Sequence, residues 1–240
     1  SPTAMKAAVK RVYKSVGVKS LADNCFGVTL DGRDLRTPAR KVLALPTREL
    51  ACGVALEWEA QREHIRPDTM PLMKLATTTV DQVPTIRPTM VDSMLRCLQS
   101  DLACFRSSDE PVLMAKEEAA YAPLLAWSAS ELELELAVTD SMVLSHPESA
   151  VPRAEALLAA ADDWELAALD QTAGVCKSLL IAFALSKYRI GAEEACRAAR
   201  VAEQHQIDEW GEVEAGHDLD AADLAVRVGA SSAFLRLLGR

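Results

Sequence analysis

Between Glu203 and Asp218 the chain gathers carboxylates, an amide and an imidazole at helical spacing. Wound as one helix at about 100° per residue, Glu203, Gln206, Ile207, Trp210, Val213, Glu214 and His217 fall within an arc of roughly 120°. Ala195, Cys196 and Ala199 continue the same stripe upstream. His217 has Glu214 three residues before it and Asp218 beside it, the combination from which metal sites and acid–base pairs are built. Burying such groups costs several kcal/mol each unless they are partnered. The stripe is therefore either a buried polar network that orients helices or a surface that works. Lys177, a lone cation within the apolar run Val175 to Leu185, offers an ion-pair partner to Glu203 or Glu214. Those two acids would lie about 16 Å apart along a helix axis, so one lysine cannot serve both.

The other routes to catalysis find little support. His64, His146, His205 and His217 are the four histidines, and no H-E-x-x-H or His–Cys cluster is present. There is no G-x-S-x-G elbow, Walker-type loop or G-x-G-x-x-G, hence no recognisable nucleophile or phosphate cradle. The six cysteines show no C-x-x-C pair and sit among apolar neighbours, which reads as reduced thiols in a reducing compartment. The net charge of −9 argues against nucleic-acid binding, because no basic stripe is available to neutralise phosphates. The most apolar run, Leu179 to Leu185, is far below the roughly 20 residues a bilayer requires, so no membrane insertion is expected. The opening Ser1 to Lys10 is small and basic, and is either extraneous or the stub of a cleaved targeting segment.

These residues need a scaffold, and 240 residues suffice for one or two domains. The spacing predicts strands over Arg11–Val18 and Phe26–Leu30, a hairpin turn at Asp31-Gly32, a return strand closed by Thr37-Pro38, and a further strand over Val42–Leu45. Thr47 is the expected N-cap of a helix through Leu50, Val54 and Trp58 to about Arg62. Trp58 falls on that helix's apolar stripe, where core packing is its role and its indole N–H needs a partner. Pro67, Pro71, Pro84 and Pro88 argue for short helical or extended pieces joining two domains. Beyond them the chain is alanine-rich and helical, with candidate helices over Thr89–Ser100, Leu113–Glu131, Glu148–Ala161, Asp163–Lys187, Ala192–Gly216 and Asp220–Leu238. Leu102–Arg106 and Leu132–Val138 alternate with period two and could pair as short strands, or the second could extend the helix before it. The fold class is α+β: a small antiparallel sheet domain with its linker over residues 1–88, then a mainly helical domain over residues 89–240.

Five motifs in this order carry a family resemblance: R-V-Y-K at Arg11–Lys14, L-D-G-R-x-L-R-T-P at Leu30–Pro38, E-W-E-A-Q at Glu57–Gln61, C-K-S at Cys176–Ser178, and Q-I-D-E-W-G-E-V-E-A-G-H-D at Gln206–Asp218. Together they resemble the assembly chaperones of the mitochondrial ATP synthase catalytic head that attend its alpha subunit. The resemblance implies a sheet-containing N-terminal domain, a helical C-terminal domain, no catalysis and no cofactor. It implies a partner, the unassembled alpha subunit, whose interface is shielded until the beta subunit takes over, in the mitochondrial matrix or, for a prokaryotic relative, the bacterial cytoplasm. Carried over by motif, the partner-binding residues are Glu203 and Glu214, with Gln206, Trp210, His217 and Asp218 around them; Trp58 and Lys177 are structural. The competing expectations are a structural subunit or adaptor of a mature complex that reuses the same fold, and a hydrolase or metalloenzyme using Glu214 and His217.

Overall fold

The structure, a computed structural model, describes residues 9–211 and 217–239. It divides into two compact units, one taking the chain up to Thr85 together with Phe234 onward, the other spanning Ile86–Ala233.

In the first unit, β1 (Val16–Ser20), β2 (Phe26–Leu30) and β3 (Arg33–Asp34) form an antiparallel sheet in that order. Val16 lies opposite Leu30 and Val18 opposite Val28. Asp31 and Gly32 turn the hairpin with φ of 48° and 77°, the two positive values a type I′ turn requires. The first strand starts later than its alternation predicts. The Asp31 carboxylate accepts from the backbone N–H groups of Lys14 and Ser15 at 3.0 and 2.9 Å, so a side chain takes the place of a neighbouring strand. The return strand stops at Asp34. Pro38 has no N–H to donate and Arg40 turns the chain with φ of 65°, leaving Thr37–Pro38 and Val42–Leu45 only the isolated bridges Arg36–Val42 and Phe26–Leu45.

α1 (Arg48–Glu59) begins where the expected cap sits. Thr47 Oγ1 accepts from the Leu50 N–H at 3.2 Å and donates to the Leu237 carbonyl at 2.6 Å. Leu50, Ala51 and Val54 are buried. α2 (Pro71–Asp81) takes Pro71 as its first residue, where a missing N–H loses nothing. The Glu57 carboxylate closes the same helix end, accepting from the Leu72 and Met73 N–H groups at 2.7 Å each. α3 (Val83–Gln99) absorbs Pro88 in its interior, a longer helix than the proline density suggests. Its face of Met90, Met94 and Leu98 is buried, and packing at that spacing outweighs one lost backbone bond.

The second unit continues through α4 (Pro111–Glu131), α5 (Ala150–Ala160), α6 (Asp163–Cys176), α7 (Leu179–Ser186), α8 (Ala192–Ala199), α9 (Val201–Trp210) and α10 (His217–Leu237). Every residue of α7 is buried. Leu180, Ile181, Ala184 and Leu185 pack in one core with Tyr121 and Leu124 of α4, Ala195 of α8, and Leu224 and Val228 of α10.

Two helices expected to be continuous are broken. Asp163–Lys187 divides at Lys177, which takes the left-handed conformation with φ of 52°. Ser178 then caps α7, its Oγ accepting from Ile181 N–H at 3.0 Å. The fully buried Asp101 carboxylate accepts from Leu180 N–H at 3.0 Å. Ala192–Gly216 divides at Arg200 and again at Gly211, whose φ is 84°. The alternating segments also depart from expectation. Leu102–Cys104 is one turn of 3-10 helix, and the second segment forms no ladder; nearby, Phe105 and Thr139 share a single parallel bridge. Leu132 and Leu134 are still buried and Glu133 and Glu135 exposed, so the alternation marks burial without a sheet.

Candidate functional site

α9 buries a single residue, His205. Its Nε2 lies 2.9 Å from the Glu110 carboxylate at the N-cap of α4, its Nδ1 3.5 Å from Lys116 Nζ, and Glu209 stands 3.9 Å away. Lys116 also pairs with Asp208 at 2.8 Å, and Gln204 donates to the other Asp208 oxygen at 2.9 Å. The Lys116 bond, then that of Gln204, holds the Asp208 carboxyl below the usual carboxylate range. α9 is thus seated on α4 by polar side chains, with Val201 at its start packed against the core to which α8 contributes Ala195 and Ala198.

The residues singled out from sequence do not form one stripe. Glu203 is half-buried, and Arg200 grips it with two 2.8 Å bonds. That overturns pairing with Lys177, which is exposed at the α6–α7 break; the left-handed turn directs the lysine to water. Gln206 is exposed. Trp210, expected on an inward face, ends α9 and is 73% exposed. Asp218 is exposed in the first turn of α10, where a negative charge suits the helix dipole. Glu214 lies outside the described residues, as does the side chain of His217, whose backbone opens α10. Within α9 the buried residue is His205, on a different face from Gln206 and Trp210, and Gly211 ends the helix before the arc is complete. Trp58 belongs to α1: its ring meets Tyr13 edge-on at 5.7 Å, and its carbonyl accepts from the Tyr13 hydroxyl at 2.7 Å. Its indole Nε1 is buried with no hydrogen-bond partner among the described residues, contrary to the expected pairing.

Sequence reasoning passed over His205. One signal was available, since Val201 lies four residues earlier on the same helical face and is an apolar residue.

Between α4, α8, α9 and α10 lies a groove of about 950 Å³, lined by Lys116, Leu124, Ile190, Cys196, Val201 and Ala225 among others. The Cys196 thiol is among its lining groups. Burial pushes Cys104 and Cys176 up to about 12 and Cys97 up to about 11, which keeps those thiols protonated and inert; burial raises Cys196 as well. Among the described residues no three His, Cys, Asp or Glu side chains are grouped to hold a metal ion. No helix among them is long and apolar enough to cross a membrane.

The fold combines a small antiparallel sheet with ten α-helices among the described residues, and an exposed tryptophan ends α9. The sequence profile described as "ATP12 chaperone protein" matches residues 10–129. Protein atp12, mitochondrial, from Schizosaccharomyces pombe is 25% identical over 95% of this chain and 83% of its own length. The crystal structure of Atp12 from Paracoccus denitrificans is 28% identical and superposes with a TM-score of 0.89, covering 96% of this chain and 98% of that one. Atu1473 from Agrobacterium tumefaciens is 31% identical with a TM-score of 0.88, over 95% of this chain and 86% of that one. The chain belongs to the ATP12 chaperone family, the ATP synthase assembly chaperones that its motifs resemble.

Proposed function

We propose that this chaperone captures the unassembled alpha subunit of the ATP synthase catalytic head and shields its subunit interface until the beta subunit replaces it. The work is done without a cofactor or chemical turnover, in the mitochondrial matrix or the bacterial cytoplasm. A large apolar interface exposed before assembly aggregates, and a reversible binder lowers that risk. The binding face comprises Glu203, Gln206, Trp210, Glu214, His217 and Asp218. Exposure of Trp210, 73% open at the end of α9, carries the reading. An indole left in water beside Gln206 and Glu209, both exposed, has the character of an interface anchor. Glu203 acts from one layer beneath by fixing Arg200.

The test is capture of purified alpha subunit by the immobilised chain. Trp210→Ala should weaken capture about tenfold or more, while the urea midpoint stays within about 0.5 kcal/mol of wild type because the ring packs on little. Asp218→Lys should weaken it further. Wild-type capture by both variants would move the site elsewhere, and failure of the unmodified chain to retain alpha subunit would remove the partner assignment.

A further inference from the structure

Residues 132–149, between α4 and α5, carry no helix or strand, yet buried side chains and hydrogen bonds tether them at several points along their length. Leu134 is fully buried. The His146 ring spans the loop, Nδ1 accepting from Ala137 N–H at 3.1 Å and Nε2 donating to the Leu98 carbonyl at 2.9 Å. Thr139 is pinned through its backbone, bonded to Cys104 O and to Arg106 N–H at 2.9 Å each. From that pin a tight cap is built. Thr139 Oγ1 accepts from Ser141 N–H at 3.1 Å and donates to Val143 O at 3.2 Å, and Ser141 Oγ accepts from Val143 N–H at 3.2 Å. Long ordered loops of this kind are uncommon and usually functional.

This cap presents apolar side chains outward. Met142 is 98% exposed, Val143 76% and Val138 48%. The segment carries Glu133, Glu135, Asp140 and Glu148 and no lysine or arginine. Glu133 is answered by Arg153 at 3.5 Å; all four acids are exposed.

We propose that the Val138–Val143 tip is a preorganised anchor that inserts Met142 and Val143 into an apolar pocket of a protein partner whose rim is basic. The inference rests on the capture reading above and makes the tip a second contact on the same client subunit. Charge chooses the partner class. The segment's exposed acids, Asp140 within the tip itself, complement lysine and arginine and are repelled by an anionic bilayer. Rigidity favours binding, because the loop's ordering is complete before the encounter. A thioether adapts to pockets of irregular shape.

The test uses the full chain with purified alpha subunit as probe, and a double variant, Met142→Ser with Val143→Ser. Two side chains this exposed stabilise nothing in the fold, so the urea midpoint should hold while affinity falls about tenfold or more. Asp140→Lys should also weaken capture and flatten its dependence on salt. Affinity like wild type in the double variant, with the unmodified chain still capturing alpha subunit, overturns the anchor and leaves the capture reading intact. Failure of the unmodified chain to capture overturns both. Pelleting of the unmodified chain with phosphatidylcholine–phosphatidylserine vesicles, lost in the double variant, would assign the tip to a membrane surface and overturn the proposal.

Discussion

Asp101→Ala should be among the most damaging single substitutions in the helical unit. The carboxylate is fully buried and accepts from Ala103 N–H at 3.1 Å and Leu180 N–H at 3.0 Å, with further bonds from the Ser178 hydroxyl and the Leu179 backbone. Hydrogen bonds to a charged group contribute about 1.5–3 kcal/mol each, so the two backbone bonds amount to about 3–6 kcal/mol. Relief of the buried charge returns part of this, and the net expected loss is about 2–4 kcal/mol. Asp101→Asn keeps an acceptor and should lose about half as much. Urea unfolding at neutral pH, followed by far-UV circular dichroism and by fluorescence, measures both.

A pH series checks the cause. Burial, the largest influence, raises the Asp101 carboxyl above its ordinary value of 3.8, while its four donors pull it down. Below that value both states are protonated. As pH climbs above it, the unfolded chain releases its proton first, the folded state binds more protons, and stability falls until the folded carboxyl ionises. The asparagine variant lacks this decline, so its deficit against wild type should narrow across that window. If Asp101→Ala unfolds at the wild-type midpoint, the carboxylate does not hold the start of α7 and this account of the α6–α7 break fails.

Two further substitutions test neighbouring arguments. Lys177→Gly should stabilise by about 0.5–1 kcal/mol, because glycine adopts a left-handed φ without the Cβ penalty, whereas Lys177→Met should leave the urea midpoint unchanged; a loss of several kcal/mol in the methionine variant would instead reveal a buried ion pair. Burial pushes Glu57 from 4.5 up to about 7 against the pull of the Met73 and Leu72 amides, so the folded state holds the extra proton, and stability from this group is present below about pH 4.5 and declines up to about pH 7. Glu57→Gln should flatten that slope by on the order of 2 kcal/mol after allowance for its partial exposure, read as the difference in urea midpoints between about pH 5 and about pH 7.5.

Much of the architecture was readable where one local rule acts alone. The Asp31-Gly32 dipeptide demanded the hairpin, Thr47 capped α1, and the run from Leu179 to Leu185 could only be buried. The breaks were harder. Lysine is an ordinary helix former, and nothing in its own chemistry announces the left-handed turn at Lys177; the available hint was Ser178, a good N-cap directly before an apolar run. The deciding group was Asp101, far away in sequence, and no periodicity connects it to Leu180. His205 escaped notice for the same reason. Its partners Glu110 and Lys116 lie 95 and 89 residues earlier, so the pair exists only after α4 and α9 have packed.

Gly211 shows how one backbone angle redistributes a whole candidate site. With φ at 84° Gly211 ends the helix at Trp210, so a periodicity carried past it no longer describes one helix. Trp210 stands three residues after Ile207 at the last position of α9. Ile207 is half-buried and Trp210 lies in solvent, where the ring adds little to folding. The acids divide accordingly. Glu203, upstream of the break, is consumed by Arg200, whereas Asp218, downstream, sits exposed at a helix start.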